Sequence, residues 1–172
     1  SAPIIDGLRT FATVLAHDQR GLGRTGIIDG PYTMAQYAQD GADLLDHVGW
    51  DTCTIVGISF GGMVAQEFAV TFPERVEKLV LLCSSAGGEA GASYPLHENV
   101  GLDPEVRTAK MRTVFDTRFT DEFLATDKFA AAMAKMLADR EAIAKSDEVL
   151  RGEAMQLEAR RHHDVVSRLG NI

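Results

Sequence analysis

The apolar residues in the first half of the chain alternate between short continuous runs and helical patterns. The runs at 11–16, 53–57 and 80–83 predict three buried strands. Apolar residues at helical spacing predict helices over 33–48 and 60–71. Strands that alternate with helices are typical of an α/β architecture with a parallel sheet.

Local signals mark the ends of the two predicted helices. Thr33 followed by Gln36 fits a capping box, in which each side chain bonds the other residue's backbone N–H. Gly49 suits the left-handed residue that follows a helix. Pro73 cannot continue the second helix, so we expect that helix to end near Thr71.

The second half of the chain carries no run that predicts a strand. A loop rich in glycine and proline extends to residue 104, and helical patterns follow at about 104–116, 121–138 and 147–168. We therefore expect an α/β unit in residues 1–87 and a helical unit in residues 88–172.

Composition excludes several classes of partner. The chain has 172 residues, 17 Lys and Arg against 25 Asp and Glu, and a net charge of −8. No basic stripe is present to neutralise phosphates, so we expect no nucleic-acid partner. No stretch approaches the roughly 20 apolar residues that span a bilayer, and the first residues carry no basic signal region. These features predict a cytoplasmic protein with no membrane partner.

Neither the two cysteines nor a glycine motif at 21–26 predicts a binding site once the neighbouring residues are considered. Cys53 and Cys83 lie in apolar runs, so we expect small, reduced core residues and neither a disulfide nor a metal site. The stretch 21–26 matches Gly-x-Gly-x-x-Gly, but a dinucleotide site requires that motif to open a helix. Here the helix starts only at Thr33, so we expect no nucleotide and no other cofactor.

The chemistry-bearing motif is Gly57-Ile58-Ser59-Phe60-Gly61, which matches Gly-x-Ser-x-Gly between a predicted strand and a predicted helix. A sharp strand-to-helix turn strains the backbone at Ser59 and exposes its side chain. Gly57 and Gly61 are expected to crowd together at this elbow, where a larger residue does not fit. The Phe60 N–H, at the positive end of the helix, is placed to donate to an oxyanion.

A structural alternative exists for the same serine. Ser59 could simply cap the helix that follows it, since Ser is a common N-cap residue. The predicted strand before the motif, the helix after it and the further strand at 80–83 together favour a nucleophile over a cap.

The chain resembles the α/β-hydrolase fold family, in particular proline iminopeptidase-like, 3-oxoadipate enol-lactonase-like and cofactor-free haloperoxidase-like hydrolases. The resemblance rests on the loop from His17 to Thr25 and on the nearly continuous stretch from Tyr32 to Leu82. It implies a partial hydrolase core in residues 1–87 and a helical cap in residues 88–172. It also implies that Ser59 is the nucleophile, that Phe60 gives one oxyanion N–H, and that Asp18 and Arg20 pin their loop by hydrogen bonds.

Members of this family have further parts that the sequence does not contain. The resemblance implies three strands before residue 11, the third placed between the strands at 11–16 and 53–58, and two strands after the cap that carry the acid and the histidine of a Ser–Asp–His triad. We expect an excerpt of a longer hydrolase with unpaired strand edges and exposed apolar faces. Completion of the sheet by another chain, or direct re-pairing of the three strands, are the alternatives.

None of the five histidines occupies the triad position. His17 follows a predicted strand, His47 lies on a helix surface, and His162 and His163 lie in the last helix as solvated or packing residues. His97 follows the third strand and is a candidate substrate contact. By the resemblance, the cap segment 93–98 shapes the acyl pocket.

Three functional hypotheses follow. The first is a serine hydrolase that cleaves an ester, lactone or amide through an acyl-serine, and that is nearly inert without its Asp and His. The second is an inactive, hydrolase-derived module that binds a small apolar ligand or forms a homodimer through its open sheet edges. The third, a nucleotide-binding fold, requires the 21–26 loop to grip phosphate.

Overall fold

The computed structural model describes residues 2–91 and 94–172. In these ranges the chain forms two parallel strands and seven α-helices, joined by loops and short 3-10 turns. The elements in chain order are α1 (Ala2–Leu8), α2 (Met34–Val48), β1 (Cys53–Ile58), α3 (Phe60–Thr71), β2 (Val76–Leu82), α4 (Pro104–Phe115), α5 (Asp121–Thr126), α6 (Lys128–Glu141) and α7 (Asp147–Arg161).

The predicted boundaries of α2 and α3 are confirmed. The Gln36 N–H donates to Thr33 Oγ1 at 3.2 Å, and the Thr33 N–H donates to Gln36 Oε1 at 2.9 Å, which completes the capping box. Gly49 follows α2 in the left-handed region, with φ 72° and ψ 33°. α3 ends at Thr71, two residues before Pro73. These ends are set by local chemistry, which is why the sequence predicted them.

The strand predicted at 11–16 is wrong. Residues 13–19 have no regular structure, and Phe11 is 78% exposed. A strand is stable only beside a hydrogen-bonding neighbour. In the part of the chain that the structure describes, β1 pairs with β2 alone, with Val56 opposite Val80 and Ile58 opposite Leu82. The apolar run at 11–16 therefore has no ladder to join, and direct re-pairing of the three runs does not occur.

One face of the sheet is covered and the other is open. α3 packs on the covered face, and α2 packs on α3. Phe68 of α3 joins Ala38 and Ala42 of α2 in one buried cluster, against which Ile55 and Val76 of the sheet pack. On the open face the paired side chains Val56, Val80, Ile58 and Leu82 are exposed. The expectation of unpaired edges and exposed apolar faces is confirmed.

The helices of the second half differ from prediction in two places. The helix predicted at 121–138 is two helices, because the chain breaks at Asp127, whose carboxylate caps α6 by accepting the Ala130 N–H at 2.9 Å. α7 ends at Arg161 rather than 168, and a 3-10 turn follows at Val166–Asn171. No strand occurs in the described residues after 88 except an isolated bridge between Gly87 and Asp164.

Contacts cross the predicted boundary at residue 88. Ala159 of α7 is buried against Tyr32 and Met63. Arg168 donates two hydrogen bonds, at 2.8 and 2.7 Å, to the buried carboxylate of Glu67 in α3. The end of the helical half is thus fastened to the α/β half.

The two cysteines differ in burial, although both were predicted to be core residues. Cys53 is half-buried at the start of β1, and burial raises the pKa of its thiol. Cys83, directly after β2, is exposed and has a positive φ of 51°, so its prediction as a core residue is wrong. Both thiols are free.

Within the described residues, no helix combines the length and the apolar character that crossing a membrane demands. In the same ranges, no cluster of three or more His, Cys, Asp or Glu side chains could hold a metal ion.

Candidate active site

Ser59 sits at the turn between β1 and α3 in a strained backbone conformation. Its φ of 53° and ψ of −119° lie outside the regions that a residue with a Cβ normally adopts. The side chain is exposed, and it makes no capping hydrogen bond to α3. The structural alternative, a serine that caps the helix, therefore does not describe this residue.

Backbone hydrogen bonds from both sides hold the turn. The Ser59 N–H donates to the Leu82 carbonyl at 2.8 Å, which continues the pairing of β1 with β2 by one residue. The Ser59 carbonyl accepts from the Gly62 N–H at 2.9 Å and the Met63 N–H at 3.2 Å. The strained residue is thus fixed by the sheet before it and the helix after it, while its hydroxyl makes no capping bond.

The Phe60 N–H has no hydrogen-bond acceptor among the described residues. It belongs to the first residue of α3, where helical N–H groups have no partner within the helix and the helix dipole is positive. The Phe60 ring packs edge-on against Tyr37, with the ring centroids 5.1 Å apart. Burial raises the pKa of that Tyr37 hydroxyl far above its usual value. Phe60 is thereby anchored through its side chain while its N–H stays available.

The glycines of the motif differ in whether a larger residue would fit at their positions. A Cβ on Gly57 would lie 2.6 Å from the Gly61 carbonyl oxygen and 2.6 Å from the Gly62 Cα, so the expectation for Gly57 is confirmed. A Cβ on Gly61 would meet no described atom within 4 Å, so the expected crowding at Gly61 is wrong. The crowded residue is Gly62, whose Cβ would lie 2.5 Å from the Ser84 side chain. The helix turns Gly61 away from the sheet and Gly62 toward β2.

Ser84 and Gln66 support the turn and were not singled out from the sequence. The Ser84 hydroxyl donates to the Ser59 carbonyl at 3.1 Å. Gln66 Nε2, buried in α3, lies within hydrogen-bond distance of the Gly62 carbonyl, Ser84 Oγ and the Ser85 carbonyl, at 3.2, 3.3 and 2.9 Å. From the sequence, Gln66 could have been recognised as a polar residue on the apolar face of the helix that follows the motif.

Hydrogen bonds of Asp18 and Arg20 hold the loop after residue 16, as the resemblance to the hydrolase family implied. The Asp18 carboxylate accepts the Arg24 N–H at 3.1 Å. Arg20 grips Asp40 of α2 with two hydrogen bonds of 2.6 Å and lies over the Tyr32 and Tyr37 rings. No helix follows Gly26 directly, since α2 starts at Met34, as predicted.

The glycine-rich loop also touches the helical half. Gly21 has a φ of +75° and its carbonyl lies against Gly152 of α7, where a Cβ would collide with it. Arg151 in the same helix pairs with Asp29. The loop packs against a helix, so its glycines serve close backbone approach.

No histidine ring hydrogen-bonds to Ser59 Oγ within the described residues. His17 and His47 are exposed, and His162 Nε2 lies 2.9 Å from Glu158 Oε1 on the exposed side of α7. His163 is buried, which agrees with its interpretation as a packing residue, and burial lowers the pKa of its imidazole.

Two concave regions lie in the described part of the chain, and Ser59 lines neither of them. Phe60 and Gly61 lie in the wall of an open groove of about 1030 Å³ that extends along the free side of β1 and the segment 11–19. His97 and Met63 line a separate, smaller cavity of about 150 Å³. His97 therefore borders a cavity that does not include Ser59, and its role as a substrate contact stays a prediction. Of the segment 93–98, Ser93 lies outside the described residues and Glu98 is exposed.

Comparison with known proteins agrees with this geometry. The sequence profile of the α/β-hydrolase fold matches residues 2–141. The chain belongs to the α/β-hydrolase fold family.

Named relatives of this α/β hydrolase are enzymes. It is 34% identical over 122 residues to 2-hydroxymuconate semialdehyde hydrolase of Pseudomonas putida, which covers 68% of this chain and 41% of that enzyme. It is 37% identical over 103 residues to 3-oxoadipate enol-lactonase 2 of Acinetobacter baylyi, covering 58% of this chain and 39% of the relative. The chain thus spans less than half the length of these two enzymes.

A solved structure shows the same fold. The enol-lactonase from Burkholderia xenovorans superposes with a TM-score of 0.71 at 22% identity, over 99% of this chain and 63% of the lactonase. The family and fold expected from the motif residues are confirmed.

Proposed function

We propose that this α/β hydrolase uses Ser59 as the nucleophile of a serine hydrolase that cleaves an ester, lactone or amide. The observation that carries the proposal is the exposed Ser59 hydroxyl, held by a strained backbone and free of any capping bond to α3. A serine that only capped the helix would have relaxed torsions and a bonded hydroxyl. This turn is the nucleophile elbow of the family.

The chemistry follows from the turn. Ser59 Oγ attacks the acyl carbon, its proton passes to solvent water because no imidazole among the described residues bonds the hydroxyl, and the former carbonyl oxygen becomes an oxyanion. The Phe60 N–H, which has no acceptor among the described residues, donates to that oxyanion. The leaving alcohol or amine departs with a proton, an acyl-Ser59 remains, and water then releases the acid and restores the hydroxyl.

The same proposal includes an incomplete triad. Residues 2–91 and 94–172 place no imidazole in hydrogen-bond contact with Ser59 Oγ, and neither a catalytic Asp nor a catalytic His is assigned among them. Loss of the histidine of such a triad costs on the order of 10⁶ in kcat, and about 10³–10⁴ over water persists from the oxyanion donors and binding. The chain by itself should therefore acylate slowly and deacylate more slowly still.

Substrate class is drawn from chemistry and from the relatives' names. An acyl carbonyl is what the elbow can attack, and the relatives are named as an enol-lactonase and a semialdehyde hydrolase. We infer a small acyl substrate, with no cofactor and no nucleic-acid or membrane partner. The two free thiols support a reducing, cytoplasmic location.

One observation favours the second hypothesis of a non-catalytic module. The open groove beside β1 is large and mostly apolar in its lining, and the edge of β1 is unpaired among the described strands. A small apolar ligand or a second copy of the chain could occupy it without any chemistry at Ser59.

Acylation by p-nitrophenyl acetate separates the two hypotheses. The intact chain should take up one acetyl group, and peptide mapping should place it on Ser59. Ser59→Ala should abolish that adduct, while the matched variant Ser146→Ala should keep it, because Ser146 is an exposed serine whose hydroxyl caps α7. Folded protein with no adduct on Ser59, or with acetyl groups spread evenly over exposed serines, would favour the non-catalytic module.

A further inference from the structure

A second cavity of about 150 Å³ lies where the chain leaves β2 and where α7 ends. We name it the Gly87 cavity, after the glycine whose backbone pairs with Asp164 at its side. Met63 of α3 forms one wall, and the turn that holds His97 forms another. Four parts of the chain therefore border one open space, and Ser59 is not among its lining residues.

The Gly87 cavity is basic in a chain that is acidic overall. Its charged or titratable lining residues are His97, Arg160, Arg161 and His163; among the described residues no Asp or Glu lines it, and the nearest carboxylate to its glycine wall is that of Asp164 beside Gly88. The whole chain carries 25 acidic residues against 17 Lys and Arg. Such a local reversal of charge attracts an anion.

One of its histidines has unused hydrogen-bonding capacity. His163 is only 4% exposed, and its ring interacts with the Ser85 carbonyl. His97 Nδ1 is also buried, and it has no hydrogen-bond partner among the described residues. Buried polar groups are normally paired, because an unmade bond costs free energy.

The two arginines lie at different depths. Arg160 donates to the Tyr94 carbonyl at 2.7 Å, which ties α7 to the segment before His97, and burial lowers the pKa of its guanidinium. Arg161 is about half exposed, and its nearest carboxylate, that of Glu158, is 3.8 Å away. Since Arg161 is held only weakly, its guanidinium can turn to an anion at the cavity mouth.

We propose that the Gly87 cavity binds a small organic carboxylate, with the carboxylate between Arg161 and the His97 imidazole and the apolar part against Met63. An arginine forms paired hydrogen bonds with a carboxylate. A cavity of 150 Å³ accommodates a ring the size of benzene. The ligand bridges the end of α7 and the loop after β2, and it thereby fastens the helical half to the α/β half. This site is independent of chemistry at Ser59.

Benzoate and benzamide test the proposal as a matched pair, because they share shape and differ in charge. Isothermal titration and thermal melting are run in the Ser59→Ala background, so that the outcome does not depend on acyl chemistry. Arg161→Gln removes the anchor. Arg151→Gln is the control, since Arg151 lies in the same helix, is 52% exposed against 54% for Arg161, and does not line the cavity.

The proposal expects benzoate to bind and raise the melting temperature, and benzamide to bind at least about tenfold more weakly. Arg161→Gln should weaken benzoate binding by a similar factor, and Arg151→Gln should leave it unchanged. Absence of benzoate binding, which would mean a cavity that holds only water, overturns the proposal. Equal binding of the amide, or equal weakening by Arg151→Gln, overturns it as well.

Discussion

The Ser84 side chain donates a hydrogen bond to the carbonyl oxygen of Ser59 across 3.1 Å, from the end of β2 to the turn after β1. Gly62 makes this contact possible, since a Cβ there would lie 2.5 Å from both Ser84 Cβ and Ser84 Oγ. The strained residue is therefore supported by its neighbouring strand as well as by its own helix.

Gly62→Ala should destabilise the chain by about 1–3 kcal/mol, because the added methyl overpacks the space that Ser84 fills. Gly61→Ala is the matched change one residue earlier, where a Cβ meets no described atom within 4 Å. It should be neutral or slightly stabilising, since Ala favours a helix over Gly by about 0.5–1 kcal/mol. Urea denaturation of the two variants checks the difference, and equal losses would refute this description of the turn.

Gln66→Met should cost about 1–3 kcal/mol of unfolding free energy. The change keeps the length of the side chain but removes the buried amide that bonds the Ser85 carbonyl at 2.9 Å. Gln39→Met is the control, because Gln39 is an exposed glutamine in α2 whose amide bonds Asp43 at 2.8 Å. That control should stay within about 0.5 kcal/mol of the parent. If both variants lose the same stability, the buried amide has no special role.

Arg20→Lys should destabilise the chain by about 1.5–3 kcal/mol, since a lysine reproduces neither the paired bonds to Asp40 nor the stacking on Tyr32. The Arg20 side chain is 11% exposed. Arg24→Lys in the same loop is the comparison, because Arg24 is 99% exposed and 3.9 Å from Asp18. Chemical denaturation should show almost no change for Arg24→Lys. Similar effects of the two changes would contradict the role given to Arg20.

Stability should fall as the pH drops below about 6.5. Burial lowers the pKa of His163 from its usual 6.5, while the Ser85 carbonyl, Glu67 and Asp164 favour its protonation and Arg168 opposes it. Above pH 6.5 the imidazole is neutral in both states and contributes no pH dependence. Below it, the unfolded chain binds a proton that the folded chain resists, so unfolding is favoured until the folded-state pKa is reached.

The slope from this one group is at most about 1.4 kcal/mol per pH unit. Denaturation curves from pH 7.5 to 5.5 measure it, and His163→Gln should flatten the dependence. His47→Gln, a change at an exposed histidine, should not. A pH slope that persists unchanged in His163→Gln would show that another group causes it.

The elements that the sequence predicted correctly are those fixed by neighbouring residues. The capping box of Thr33, the left-handed Gly49 and the end of α3 before Pro73 depend on a few adjacent residues, and all three are present. The position of Ser59 in the turn between β1 and α3 was also predictable from adjacent residues.

The elements that were wrong depend on distant partners. The apolar run at 11–16 has strand composition, but strand formation needs a neighbouring strand, and β1 pairs only with β2 among the described strands. The apolar run before Cys83 predicted a buried residue. Cys83 is exposed, and among the described strands β2 has no neighbour other than β1. Which of Gly61 and Gly62 is crowded depends on Ser84, which lies more than 20 residues further along the chain. The motif itself does not reveal this contact.

A fluorophosphonate, which phosphonylates nucleophilic serines irreversibly, shows whether Ser59 is a nucleophile. The intact chain is incubated with excess reagent, and the modification rate of each serine is followed by peptide mass. Ser59 should be modified well ahead of the exposed Ser146 and Ser167, and Ser59→Ala should remove this faster phase. Modification of Ser59 no faster than those two serines would mean that Ser59 is not a nucleophile.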